Sequence, residues 1–182
     1  MKIDDNGWLT GVRQVPSPNF NERPQSCAID LLVIHNISLP PGQFGGGFIE
    51  KFFSNCLIPT EHSYFEEIAD LQVSSHLLID RQGEITQFVS FDQRAWHAGA
   101  SEFDGRANCN DFSIGIELEG TDEEPYTEEQ YECLTSVSRL LLKHYPKMSV
   151  ERITGHSDIA PGRKTDPGPS FDWQKYNNML GV

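Results

Sequence analysis

Cys27 to His35 reads C-A-I-D-L-L-V-I-H, a continuous apolar run of strand length that closes on an ionisable side chain. A strand without polar alternation is covered on both faces, so this stretch predicts a buried central strand. Working outward, Ser75 to Asp80 and Glu84 to Val89 flank Arg81-Gln82-Gly83 and read as a β-hairpin. Ser113 to Glu119 alternates: Ile114, Ile116 and Leu118 point one way, Gly115, Glu117 and Glu119 the other. A helix is expected over Thr127 to His144, where Thr127 and Gln130 make a capping box and Tyr131, Leu134, Val137 and Leu141 recur at helical spacing. Phe48 to Phe53 predicts a short helix, Glu151 to His156 a short strand, and Phe171 to Leu180 a last helix. Pro16, Pro18 and Pro24 keep the segment up to Ser26 irregular, while Leu39 to Gly47 and Ile159 to Pro169 read as loops. The expected fold is α/β, a single domain over residues 1–182 with a mixed central β-sheet flanked by α-helices.

The bulk numbers agree. A chain of 182 residues supports one full core, and 37% hydrophobic with 23% charged residues is an ordinary globular composition. Fourteen Lys and Arg against 27 Asp and Glu give a net charge of −13, which disfavours nucleic acid and anionic membranes as partners. Met1 to Thr10 has no basic stretch followed by an apolar run, so no secretory signal is expected. Cys27, Cys56, Cys109 and Cys133 are scattered, which suits a reducing compartment better than a disulfide framework. A cytoplasmic monomer is the expectation.

Two of the six histidines close apolar runs: His35 ends L-L-V-I-H and His156 ends R-I-T-G-H. After His156 comes S-D-I-A-P-G-R-K-T-D-P-G, which carries Lys164 and Asp166 in a loop braced by Pro161 and Pro167. Two imidazoles and a carboxylate are a sufficient ligand set for a catalytic zinc, leaving the fourth position open. On spacing alone this is only a candidate zinc hydrolase, because a single strand-end histidine is more often an ordinary satisfied polar residue. Glu117 without other support reads as a solvated strand glutamate, and Lys164 as a surface lysine. His62 reads as a loop histidine and His144 as a helix C-terminal one. The acidic runs Asp122-Glu123-Glu124 and Glu128-Glu129 read as a solvated face. Gly45-Gly46-Gly47 lacks the G-K-S/T that a phosphate loop requires and reads as a mobile loop near the cleft.

The strings L-L-V-I-H-N, V-S-S-H-L-L-I-D-R-Q-G-E-I-T-Q-F-V, R-A-W-H-A-G, N-D-F-S-I-G-I-E-L-E-G and T-G-H-S-D-I-A-P-G-R-K-T-D-P-G together resemble the zinc-dependent N-acetylmuramyl-L-alanine amidases. The resemblance runs from about Trp8 to Trp173. It implies an amidase or peptidoglycan-recognition-protein-like fold and one zinc ion per chain held by His35, His156 and Asp166. It also implies Glu117 as the residue that activates water and Lys164 as stabiliser of the developing oxyanion. Asn36 is implied in sugar contact, with Tyr64, His76, Ala95, Trp96, His97, Arg106 and Leu118 lining the cleft. One departure is Gln72, where many relatives are expected to have an Arg. The implied reaction is hydrolysis of the amide between the lactyl group of 1,6-anhydro-N-acetylmuramic acid and L-alanine, on small soluble anhydro-muropeptides in cell-wall recycling. Such substrates carry carboxylates, so Arg106, Arg163 and Lys164 should gather at the cleft of this acidic chain. The alternatives are a recognition module that binds without cleaving, an amidase acting on polymeric peptidoglycan, and a zinc peptidase of another family.

Overall fold

A computed structural model describes residues 1–181. In chain order the strands are β1 (Arg13–Gln14), β2 (Phe20–Asn21), β3 (Leu31–Ile37), β4 (Leu77–Ile79), β5 (Ile85–Gln87), β6 (Arg94–Ala95), β7 (Glu102–Phe103), β8 (Arg106–Ala107), β9 (Ser113–Glu119) and β10 (Ile153–Gly155). The helices are α1 (Phe48–Phe53), α2 (Ser63–Ile68), α3 (Glu128–His144), α4 (His156–Ile159) and α5 (Trp173–Leu180). One six-stranded sheet has the order β1-β5-β4-β9-β3-β10. Within it β4, β9, β3 and β10 run parallel, while β5 is antiparallel to β4. The sheet is mixed, as expected of this α/β chain.

The pattern of each strand sorts its two faces. Leu32 and Ile34 of β3, with Ile114, Ile116 and Leu118 of β9, pack on Leu134, Val137 and Leu141 of α3 and on Tyr176 of α5. Leu31 and Val33 lie on the opposite face with Ala98, Phe112 and Ile159. His35, Gly115 and Glu117 therefore share the face turned away from α3 and α5. A third apolar group, including Phe52, Phe53, Phe65 and Phe88, seats α1 and α2 beside that face.

Several sequence expectations are met within a residue or two. α3 begins after Thr127 with the capping box to Gln130 in place. The hairpin forms as β4 and β5, and β9 has the expected bounds. Others are corrected. The first long strand starts at Leu31 rather than Cys27, and it runs past His35 to Ile37. Asp30 sits outside the ladder, held by ion pairs to Arg106 and Arg152. The strand expected over Glu151 to His156 shrinks to three residues, and His156 opens α4 instead of closing a strand. α2 was not foreseen; His62 is its N-cap, with its side chain accepting from the Tyr64 N–H. All seven residues of β9 are buried, so Glu117 and Glu119 are not solvated.

The irregular N-terminal segment is tied to the body by Arg23. Its guanidinium donates to the backbone carbonyls of Phe91, Asn110, Asp111 and Ser113 at 2.9–3.1 Å. Burial pulls its pKa down to about 10.

Candidate metal centre and active site

Parallel pairing brings the ionisable ends of three strands to one edge of the sheet. In register, His35 of β3 stands beside Glu117 of β9, and Gly155 at the end of β10 stands beside Ile34. His156, the next residue, is thereby delivered next to His35. Asp166 arrives on the following loop, whose return is possible because residue 155 is a glycine: a Cβ there would meet Pro167 Cδ at 2.8 Å. The Ser157 N–H donates to the Asp166 carbonyl at 2.9 Å and fixes the return. Polar groups at the carboxyl ends of parallel strands are where open α/β sheets bind ligands.

Three donor atoms converge there. His35 Nδ1 and His156 Nδ1 are 3.0 Å apart, and Asp166 Oδ2 lies 2.9 Å from the first and 3.0 Å from the second. His156 Nε2 faces the Ala98 carbonyl at 3.1 Å and donates its proton to it, leaving Nδ1 as a lone pair. Burial pulls the His35 imidazole down to about 4, so it is neutral near pH 7. Asp166 presents its carboxylate to both Nδ1 atoms and is itself largely shielded from solvent.

Electron pairs gathered this closely repel one another unless a cation lies among them. A tetrahedral zinc with bonds of about 2.0–2.1 Å sets its ligand atoms roughly 3.3 Å apart, a few tenths of an ångström wider than this triangle. The donor set and its spacing therefore fit a divalent ion with three protein ligands. No other cluster of three or more His, Cys, Asp or Glu able to hold a metal occurs among the described residues. The four cysteines are free thiols, none of them in this cluster.

The cluster opens into a cavity of about 800 Å³, a volume suited to a small molecule. Glu117 lines it with only 8% of its surface exposed, and its Oε2 has no hydrogen-bond partner. Burial raises the Glu117 pKa well above the ordinary carboxylate value, Asp166 adds to the rise, and Lys164 opposes it. A carboxyl group held in that state can both take and return a proton. Lys164 and Arg163 line the same cavity, and Arg163 is anchored by donating to the carbonyls of Ala98 and Ala100.

Of the residues expected in the cleft, Asn36, Tyr64, Trp96 and His97 line this cavity. His76, Ala95, Leu118 and Arg106 do not. Ala95 and Leu118 belong to the apolar core. His76 is fully buried and links strands: its Nδ1 accepts from the Gly115 N–H and its Nε2 faces the Gln93 carbonyl. Arg106 sits on the β7–β8 ribbon, paired to Asp30 and stacked 3.8 Å above the Phe112 ring. Only Arg163 and Lys164 of the three expected cations reach the cleft. Gln72 is exposed and its neighbours Leu71 and Val73 line the cavity without it.

Asp122 corrects another expectation. Instead of joining a solvated acidic face it lines the cavity, and its Oδ1 accepts from the Asn36 amide at 2.9 Å. Its place just past the carboxyl end of β9 was the available sequence signal. Phe52 and Phe53, read only as part of a short helix, form an apolar wall. The Leu39–Gly47 loop adjoins this site, and its Gly45 N–H donates to the buried Glu119 carboxylate at 2.5 Å.

Comparison with known proteins gives a consistent result. The sequence profile of the N-acetylmuramoyl-L-alanine amidase family matches residues 25–169. The 1,6-anhydro-N-acetylmuramyl-L-alanine amidase AmpD of Enterobacter cloacae is 56% identical over 176 residues, which are 97% of this chain and 94% of that protein. A crystal structure of a selenomethionine derivative of AmpD superposes with a TM-score of 0.95 at 54% identity, covering 99% of each chain. AmpDh3 of Pseudomonas aeruginosa, solved in complex with an anhydromuramic pentapeptide, matches with a TM-score of 0.63 at 27% identity, over all of this chain and 67% of that one.

Proposed function

Because the chain belongs to the N-acetylmuramoyl-L-alanine amidase family, we propose that His35, His156 and Asp166 hold one zinc ion in service of that chemistry. The reaction is hydrolysis of the amide between the lactyl group of 1,6-anhydro-N-acetylmuramic acid and L-alanine of the stem peptide, in peptidoglycan recycling. The observation that carries the metal reading is the triangle of three lone-pair donors at 2.9–3.0 Å beside an unpartnered, buried carboxyl group.

Bound zinc supplies Lewis acidity, polarising the scissile carbonyl and lowering the pKa of water to about 7. Glu117 takes the proton of the attacking water as the new C–O bond forms. It then returns that proton to the departing amine as the C–N bond breaks, so the carboxyl group ends as it began. Its raised pKa suits both halves of that exchange. Lys164 stabilises the negative charge that develops on the carbonyl oxygen. Asn36, oriented by Asp122, meets the sugar, while Tyr64 and Trp96 close the sides of the groove. The described chain has no helix long and apolar enough to cross a membrane. A small soluble anhydro-muropeptide fits a cavity of this size, and we assign the protein to the cytoplasm as a monomer formed from one domain.

The test is elemental analysis of the purified protein, followed by mass spectrometry of products from a defined anhydro-muropeptide. One zinc per chain and release of the intact stem peptide are expected. An Asp166→Ala variant should lose the ion and the thermal shift that added zinc produces in the parent. A metal-free parent with full activity would overturn the zinc assignment, and cleavage within the stem peptide would overturn the choice of bond. Equal rates on intact sacculi would move the protein to polymeric substrate.

A further inference from the structure

The side of His35 turned away from Asp166 is as closely specified as the side turned toward it. Ser113 Oγ donates to the Cys109 carbonyl at 2.6 Å. With its one proton committed there, it accepts from His97 Nε2 at 3.0 Å. A neutral imidazole protonated at Nε2 keeps a lone pair on Nδ1, and His97 Nδ1 stands 2.9 Å from His35 Nε2. His35 must therefore donate from Nε2. Its own Nδ1 is left as a lone pair pointing at Asp166 and His156.

His97 is itself held from two directions. Asn110 Oδ1 accepts from the N–H groups of His97 and Ala98 at 3.1 and 2.8 Å, fixing the backbone. The ring lies flat on Gly115 of β9, where a Cβ would come within 2.5 Å of His97 Cγ and Nδ1. A glycine in mid-strand, which otherwise weakens a strand, is here the space the imidazole occupies.

We propose that His97 and Ser113 are positioning residues that lock His35 into the one tautomer able to bind metal through Nδ1. The chain runs from the Cys109 carbonyl through Ser113 and His97 to His35, and each link settles the proton of the next. The proposal rests on the reading of His35 as a zinc ligand. Without the acceptor at His97 Nδ1, the His35 proton distributes over both nitrogens, and the fraction protonated at Nδ1 cannot ligate. Outer partners of this kind are worth about 10–100-fold in metal affinity.

The experiment uses the full chain, ¹⁵N-labelled and zinc-free, with long-range ¹H–¹⁵N spectra of the imidazoles to read each tautomer. Zinc affinity is measured separately by competition with a chromophoric chelator. In the parent, His35 should carry its proton on Nε2. His97→Phe should scramble that tautomer and weaken zinc binding roughly 10–100-fold. His97→Gln should recover most of the loss, because its amide oxygen can accept from His35 and its amide nitrogen can donate to Ser113. Ser113→Ala should shift both readouts in the same direction by less. A parent His35 protonated at Nδ1 overturns the proposal, as does a folded His97→Phe protein with parental zinc affinity. Should His97→Phe fail to fold, the parental tautomer and Ser113→Ala decide. A parent that binds no zinc defeats the metal reading instead, and the tautomer is still measured in the zinc-free protein.

Discussion

His35 and Glu117 are direct partners in the β3–β9 ladder, side by side on the face of the sheet away from α3 and α5. One pair of hydrogen-bonded strands therefore sets the distance between the proposed metal ligand and the proposed base. Sites built on paired strands hold geometry better than sites on loops.

Glu117→Gln separates the base from the scaffold. The amide keeps the shape but cannot take a proton, so kcat/KM on an anhydro-muropeptide should fall about 10²–10⁴-fold with zinc content unchanged. Glu117 Oε2 has no partner to lose, and the neutral amide avoids the burial of a carboxylate. The melting temperature should therefore hold or rise. A parental rate in the variant would remove Glu117 from the chemistry.

Lys164→Met tests charge stabilisation. If the ammonium acts on charge present only in the transition state, kcat should drop about 10²–10³-fold with little change in KM. A rise in KM at constant kcat would mean that Lys164 binds ground-state substrate instead.

Arg106→Ala should leave both kinetic constants near parental values at low and high salt, because Arg106 is outside the cavity. Its loss removes the pair with Asp30 and the stacking on Phe112, so stability should fall by about 1 kcal/mol in urea denaturation. An increase in KM would show that Arg106 reaches the substrate.

Alkaline stability follows from three buried phenols. Burial raises the pKa of Tyr126, Tyr145 and Tyr176 above the ordinary value of 10.0. The unfolded chain ionises near 10 while the folded chain resists, so the folded state binds more protons above that pH. Stability from these groups is complete below pH 10 and is lost as pH rises through the folded values. The slope for the most buried, Tyr176, approaches about 1.4 kcal/mol per pH unit. Urea midpoints at pH 9, 10 and 11 should decline increasingly steeply. Tyr145→Phe should flatten that decline at little cost near pH 7, because the Tyr145 hydroxyl has no partner.

Local signals carried most of the fold. The alternation of Ser113–Glu119 and the Thr127–Gln130 capping box each depend on neighbouring residues, and both appear where the sequence places them. Distant partners decided the failures. Residues 27–30 are apolar enough for a strand, but Asp30 is drawn out of the ladder by Arg106 and Arg152 from elsewhere in the chain. Glu117, read from its own strand alone, and Asp122 looked solvated because a sequence does not say which face of a strand another segment covers. The ligand types were legible in His35, His156 and Asp166. That residues 131 positions apart meet at 2.9 Å is a product of sheet pairing, and spacing alone does not encode it.

Arg23 sets a limit on how this protein can be shortened. The family's shared signature begins at residue 25, yet the guanidinium two positions upstream is the donor for four main-chain oxygens in the segment from Phe91 to Ser113. An expression fragment trimmed to that signature would leave those oxygens stranded beneath the shelf that carries His97. Such a fragment should be prone to aggregation however intact its ligand residues, and a working unit has to include Arg23, just upstream of the residues that match the family.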